Sequence, residues 1–416
     1  MNQTFRVRCG SALEVLRRMP EASVHCCVTS PPYWSLRDYG VEPTTWPDAW
    51  VGCLGLEPTP ALYVEHLLSV FDEVRRVLRS DGTLWLNLGD CYAASGSGSG
   101  LDASKQVSDS SGPRIGSRSS FRRDRAPRGD VAHKAAPGLK PKDLVGIPWM
   151  VAFALRDRGG WYLRSDVIWH KTNPMPESIT DRPTKSHEYV FLLSKSEDYF
   201  YDAHAIREGD SGQSAGNATR KFRGDHGGNK NLKNAHQGFG VPWKAGGGRN
   251  RRSVWTIPTA PFKGAHFATF PPRLVEPCIL AGTSEHGCCS ACGAPFERIV
   301  EKGRELIEQK LIGGANADGT YHGKAKKLYA STGAQDPSAV KARILEGMRE
   351  RVTVGWKPTC RHTLRTIDPC VVLDPFSGSG TTGMVARKLG RSFEGIDLNP
   401  EYVEMSNRRG GVEVSA

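Results

Sequence analysis

No apolar run in this chain of 416 residues reaches the length of about 18 needed to cross a bilayer. The start, Met1-Asn2-Gln3-Thr4-Phe5-Arg6-Val7-Arg8, lacks an apolar core of signal-peptide length. These absences exclude a helical membrane protein and lead to the expectation of a soluble, cytoplasmic one. Eleven cysteines, an odd number without a secretory signal, argue against a disulfide scaffold and for a reducing compartment. Acid is also in short supply: 44 Asp and Glu against 56 Lys and Arg leave a formal charge of +12. That balance suits a polyanionic partner held by salt-dependent phosphate contacts, although many basic proteins bind no nucleic acid. Residues 95–136 have hardly any apolar side chain and cannot bury enough surface to fold alone, and residues 207–252 form a second polar stretch heavy in Gly, Asn, Lys and Arg. Over the whole chain a hydrophobic content of 38% supports a core, and the length suggests two or three domain-sized units.

Two short stretches at opposite ends of the chain carry the chemistry. Val371-Val372-Leu373 is an apolar run ending in Asp374, followed by Pro375-Phe376-Ser377-Gly378-Ser379-Gly380-Thr381-Thr382 and a predicted helix over 383–389. A buried strand, a glycine turn and a helix N-terminus make a grip for a nucleotide cofactor. A second strand, Ser392 to Asp397, ends in an acid about 20 residues later, where ribose hydroxyls would donate to it. The string Gly378-x-Gly380-x-x-Gly383 fits NAD as well as S-adenosylmethionine. Only 19 residues follow Asp397, so this half-site must dock on strands from earlier in the chain. The N-terminal region offers one: Val24 to Thr29 is a β-prone run leading directly into Ser30-Pro31-Pro32-Tyr33. A loop at the carboxyl end of a parallel strand is where open α/β sheets place their chemistry.

Ser-Pro-Pro-Tyr early and Asp-Pro-Phe-x-Gly-x-Gly-Thr late resemble the exocyclic-amine DNA methyltransferases, and their order resembles the permuted β group of that family. The resemblance covers most of residues 1–94, 140–205, 255–282 and 366–409. It implies an α/β, Rossmann-like class I methyltransferase fold, circularly permuted, with S-adenosylmethionine as cofactor and double-stranded DNA as partner. It also implies a bacterial or phage origin, with a homodimer and a cognate restriction enzyme as further candidate partners. The segments read as a catalytic-loop half (1–94), a polar insertion (95–139), the remaining sheet core (140–205) and a basic target-recognition region (206–254). A cofactor-pocket segment (255–283), a zinc-bearing insertion (284–365) and the cofactor-binding half (366–416) complete the chain.

The residue types fit the reaction. An exocyclic amine is a poor nucleophile because its lone pair is delocalised into the ring. Accepting hydrogen bonds from both N–H groups draws the nitrogen towards tetrahedral geometry and frees that pair. Ser30 offers a side-chain oxygen and Pro31 a carbonyl, while Pro31 and Pro32 stiffen the loop before substrate arrives. Tyr33 offers a flat face for a base swung out of the duplex. Ser at the first position, where adenine enzymes of the family more often carry Asp or Asn, favours cytosine N4 over adenine N6. The rivals from other classes are an NAD-dependent oxidoreductase and a non-catalytic DNA-binding protein.

On the cofactor side the resemblance adds Asp374, Phe376, Ser377, Gly378, Gly380, Thr381, Thr382 and Asp397. It adds Phe267, Phe270 and Thr283 beside the methionine end, with core packing as the alternative for the two aromatics. His170 and Lys171 lie in a loop that is substrate-side in the family, where a structural role competes with DNA contact. Arg249, Arg251 and Arg252 are candidates for phosphate contacts. Cys289-x-x-Cys292 in a Gly-rich turn reads as half of a zinc knuckle, and Cys360-x-His362 supplies a second half. With 67 residues between Cys292 and Cys360 the spacing misses the template of compact fingers, yet two ligands from each side still make a closed Cys3His tetrahedron. Cys288 and Cys370 leave the register open, and small buried cysteines are the alternative.

Overall fold

The computed structural model describes residues 2–36, 40–93, 138–208, 249–260, 270–302, 351–363 and 366–412. In chain order the elements are β1 (Phe5–Cys9), α1 (Ala12–Arg17), β2 (Val24–Thr29), β3 (Thr44–Thr45), β4 (Val51–Gly52), α2 (Pro60–Val77) and β5 (Leu78–Leu88). There follow α3 (Ile147–Asp157), β6 (Tyr162–His170), β7 (His187–Ser194), β8 (Val254–Thr256), α4 (Pro272–Gly282), β9 (Cys288–Cys289) and β10 (Phe296–Lys302). The last are β11 (Arg351–Pro358), β12 (Ile367–Asp368), β13 (Val371–Asp374), α5 (Thr381–Lys388), β14 (Ser392–Asp397) and α6 (Pro400–Arg409). Among the described residues no helix is long and apolar enough to cross a membrane.

Among the described residues eight strands form one sheet in the order β1-β14-β13-β2-β5-β7-β6-β8. The first five run parallel to their neighbours, and β7 lies antiparallel between β5 and β6. β2 is buried along its whole length, as a central strand covered on both faces must be. β14, from the C-terminal region, pairs with β1 from the N-terminal region in the register Val7↔Gly395, so the cofactor half is completed by strands from both ends of the sequence.

Local sequence explains the helices. α2 places Leu67, Val70, Phe71, Val74 and Val77 at helical spacing and buries them all. Thr59 caps it by accepting from the Leu62 amide, and Pro60 occupies its first turn. Ser11 stands at the N-cap of α1 but makes no side-chain cap bond there. Asp90, just beyond β5, accepts from the Gly146 and Ile147 amides and so caps α3. In β5, Leu84, Leu86 and Leu88 face the core shared with α1, α2 and α3, while Trp85 faces the core shared with α4 and α5. Because α5 follows β13 over one face and α2 follows β2 over the other, the strand ends of β13 and β2 border a switch-point crevice.

Candidate active site

The two loops meet at that crevice. Cys27 of β2 pairs with Leu373 of β13, which brings Thr29 level with the acid that ends β13. Thr29 Oγ1 donates to Asp374 Oδ1 at 2.6 Å across 345 residues of sequence. Thr382 Oγ1 donates to the other oxygen at 2.7 Å, and the Phe376 amide to Oδ1 at 3.1 Å. Burial pushes the Asp374 carboxyl up to about 6 despite these donors. One carboxylate therefore joins the residue before Ser30 to the first turn of the helix that follows the glycine loop.

Ser30 is partly exposed and Pro31 buried, with Ser30 Oγ donating to the Tyr33 hydroxyl at 3.2 Å. The Pro32 carbonyl accepts from Tyr63 of α2 at 2.8 Å, which anchors the loop from below. The Tyr33 ring packs on Gly89, where an added Cβ would come within 2.5 Å of a ring carbon. Its hydroxyl reaches Glu188 Oε2 at 2.9 Å and Asn87 Oδ1 at 3.1 Å. Burial first, and then the Glu188 charge, raise the Tyr33 pKa well above the usual phenol value. Asn87 and Glu188 were not singled out from the sequence. The available signal was a lone acid heading the apolar strand Tyr189–Ser194.

The glycine loop divides its labour. Asp374, Ser377, Thr381 and Thr382 are buried, with Ser377 Oγ 3.2 Å from Ser406 Oγ of α6 and Thr382 Oγ1 also 3.3 Å from the Val28 carbonyl. These four cofactor-binding candidates hold the loop from inside through their side chains. Phe376, Gly378 and Asp397 are the partly exposed members. Gly378 has φ +49° and a Cβ there would meet only the Phe376 carbonyl oxygen at 3.9 Å, whereas at Gly380 (φ +78°) a Cβ would come within 2.3 Å of Ser406 Oγ. Gly380 is therefore demanded by the packing of α6, and only Gly378 by an open approach. Asp397 accepts from the Gly378 amide at 2.7 Å and the Asn399 amide at 2.9 Å, and burial raises its pKa.

Thr283 does not belong to this site. It is buried, and its Oγ1 accepts from Arg391 Nε at 3.0 Å, just before β14 begins. Asp397 stands at the other end of that strand, about 16 Å away at the usual rise per residue. Gly282, at the C-terminal end of α4, lies against Cys26 and Thr83, so the N-terminal end of α4, with the partly buried Phe270, points to the crevice. Phe267 lies outside the described residues.

Of the DNA-contact candidates, Lys171 is committed to Glu188, with which it makes a short ion pair, and its Nζ stands 4.6 Å from the Trp169 ring centre. His170 Nδ1 lies 3.4 Å from Thr256 Oγ1 of β8. Arg249 and Arg252 converge on one carboxylate oxygen of Glu208 at 2.9 and 3.0 Å, and both remain exposed. Arg251 stacks on Trp255 at 4.5 Å.

At the opposite end of the sheet, one ligand atom from each of Cys289, Cys292, Cys360 and His362 lies within 4.8 Å of the others. The turn that holds the first pair is tied to the sheet, because the Gly293 carbonyl bonds His25 Nε2 at 2.8 Å and the Cys292 carbonyl accepts from Arg79 at 2.5 Å. Cys288 and Cys370 gather separately around His25. Both ring nitrogens of His25 are already engaged, Nδ1 accepting from the Val371 amide at 3.0 Å.

A mixed α/β sheet carrying a proline-stiffened loop and a glycine loop at adjoining strand ends defines a Rossmann-like methyltransferase fold. Residues 24–289 and 365–408 match the family model of N6/N4 enzymes described as DNA methylase, and the chain belongs to that family of exocyclic-amine DNA methyltransferases. It is 38% identical over 400 residues to the type II methyltransferase M.XycI of Xanthomonas campestris pv. cyanopsidis, covering 96% of this chain and 85% of the relative. To the type II methyltransferase M.Cfr9I of Citrobacter freundii it is 36% identical, with the same two coverages of 96% and 85%. A solved PvuII DNA methyltransferase (cytosine-N4-specific) aligns over 98% of this chain and 87% of its own at a TM-score of 0.47 and 16% identity.

Proposed function

We propose that this enzyme transfers the methyl group of S-adenosylmethionine to the N4 amine of a cytosine flipped out of a specific DNA site. The observation that carries the reading is the Thr29–Asp374–Thr382 joint, which holds the catalytic loop and the glycine loop side by side. The donor set suits the cofactor. Asp397 is partly exposed and keeps lone pairs beyond the two backbone amides it serves, as acceptance from a ribose diol requires. Gly378 leaves room above the loop, and Phe376 and Phe270 add apolar surface. Bound there, S-adenosylmethionine supplies a methyl on a cationic sulfur that leaves as a neutral thioether with the bonding pair.

The chain's own residues do the rest. Ser30 Oγ and the Pro31 carbonyl accept from the two amine protons and orient the lone pair, and the buried Pro31 with Pro32 holds those acceptors in place. The choice of cytosine rests on Ser30 standing where adenine enzymes of the family more often carry Asp or Asn. The exposed Arg249 and Arg252, beside edge strand β8, suit phosphate contacts. The circular permutation is supported by the pairing of β14 with β1, and the type II names of the relatives support a role in modification beside a cognate restriction enzyme. A structural zinc on Cys289, Cys292, Cys360 and His362 belongs to the same reading, supported by a donor set that matches a closed Cys3His site.

Nucleoside mass spectrometry on DNA treated with the protein and S-adenosylmethionine tests the function. N4-methylcytosine is expected, and its loss in Ser30→Ala with cofactor affinity preserved would tie it to this loop. N6-methyladenine would keep the mechanism and overturn the target base.

A further inference from the structure

A methylated exocyclic amine carries one proton too many, and that proton needs an acceptor. Ser30 Oγ, which on the reading above receives a hydrogen bond from the target amine, itself donates to Tyr33 OH at 3.2 Å. Tyr33 OH donates to Glu188 Oε2 at 2.9 Å. Both hydroxyls thus already direct their protons away from the catalytic loop's front and towards one carboxylate. We propose that Glu188, at the head of β7, is the terminal acceptor of the amine proton, reached through the hydroxyls of Ser30 and Tyr33.

The balance closes. After the nitrogen lone pair forms the new C–N bond, one N–H bond breaks and its electron pair returns to nitrogen. The proton passes to Ser30 Oγ, the Ser30 proton to the Tyr33 oxygen, and the Tyr33 proton to Glu188 Oε2. Both hydroxyls are regenerated and Glu188 becomes a neutral acid, which releases its proton to water. The side chains of Glu188 and Lys171 are 15% and 21% exposed, with the far oxygen of the acceptor paired to Lys171 and the near one facing Tyr33. Asn87 Nδ2 fixes that near oxygen at 3.1 Å and is itself anchored on the Tyr189 carbonyl at 3.0 Å. Burial keeps the Tyr33 hydroxyl protonated, as a relay that passes a proton without ionising requires. The charged and titratable groups facing Glu188 are Lys171, Lys185, His187 and Tyr33. Glu188 is a positioning residue in this scheme, since it acts through Tyr33 and Ser30.

The experiment compares wild type, Glu188→Gln, Tyr33→Phe and the double variant in single turnovers between pH 6 and 9, after thermal melts establish that each is folded. Loss of a general base lowers rates by roughly 100-fold or more. Each single variant should lose about that factor with cofactor and DNA affinities kept, and the double should lose no more than either single, because a broken relay cannot be broken twice. Glu188→Gln should recover with rising pH as hydroxide substitutes for the carboxylate, whereas a merely structural lesion would not. A second readout needs no cofactor. In the free protein, Glu188→Gln should let Tyr33 ionise at lower pH, seen as tyrosinate absorbance missing from the double variant. An active wild type with unchanged rates in Glu188→Gln, additive losses, or a Tyr33 titration indifferent to Glu188 would each overturn the relay alone. A wild type that methylates no base would remove the function it rests on as well.

Discussion

The two ends of the sheet solve the same problem in different ways. At the carboxyl ends of the strands, Thr29, Asp374 and Thr382 gather into one network, and Tyr33, Asn87 and Glu188 into another, through contacts of 2.6 to 3.1 Å. Each oxygen of Asp374 is met by a donor of the protein itself. At the amino ends, the ligand atoms of Cys289, Cys292, Cys360 and His362 converge only to within 4.8 Å of one another, Cys289 Sγ and His362 Nδ1 are 3.9 Å apart, and thiols are weak donors. The first cluster is a finished structure of polypeptide alone. The second has the composition of a cation site, and its segments reach the sheet chiefly through backbone carbonyls. A polar cluster is thus legible by what closes it: hydroxyl and carboxylate close each other, whereas soft ligands close around a metal.

The comparison breaks first, and most severely, if the amino-end cluster needs no metal. The purified protein should carry one zinc per chain. Cys360→Ser with His362→Ala should abolish it and lower the melting temperature while S-adenosylmethionine still binds. Structural zinc binding is worth on the order of 10 kcal/mol, enough to decide whether a loop with little core of its own is ordered. A zinc-free wild type with normal melting and protease resistance would end the distinction.

The next test strikes the finished cluster. Asp374→Ala strands two hydroxyls and an amide in the core and should cost about 3 kcal/mol. Asp374→Asn asks a finer question. The Asp374 pKa is raised from the ordinary 3.8 to about 6, so the folded state holds the proton more tightly than the unfolded. Its contribution is full below about pH 4 and is lost as pH rises through 6, a swing of roughly 3 kcal/mol. Asparagine does not titrate, so denaturation curves at pH 4 and 7 should show wild type losing that margin relative to Asp374→Asn as pH rises. Parallel pH dependence of the two proteins would refute the burial of this carboxylate.

Much of this was readable beforehand, for physical reasons. α2 announces itself by apolar spacing and β2 by a short β-prone run, and both loops by residues that no ordinary turn needs together. The two halves of the Cys3His cluster, separated by 67 residues, were legible because few residue types serve as metal ligands. What escaped notice were the contacts that depend on register. Thr283 has the composition of a pocket residue, but a helix antiparallel to the strands carries it to the wrong end. Glu188 and Lys171 look like surface charges until β6 and β7 pair and bring them together beside Tyr33. Gly380 satisfies a ligand-binding string, yet the neighbour that forbids its Cβ is Ser406.

The smallest expected effect separates alignment from stability within the finished cluster. Thr29→Val and Thr382→Val each remove one hydroxyl donor from Asp374 and leave a methyl of nearly the same shape. Each should cost about 1 kcal/mol, since the carboxylate keeps its remaining partners. Their effects on turnover should differ. Thr29 immediately precedes Ser30, so loosening it lets the proposed acceptor drift and should lower kcat several-fold with little change in cofactor affinity. Thr382 lies in the first turn of α5 and also donates towards the Val28 carbonyl at 3.3 Å, so its loss loosens the glycine loop and should appear as weaker S-adenosylmethionine binding at nearly normal kcat. If the two variants fall equally in both measures, the joint is a clamp on the fold and not a device that aligns the two loops.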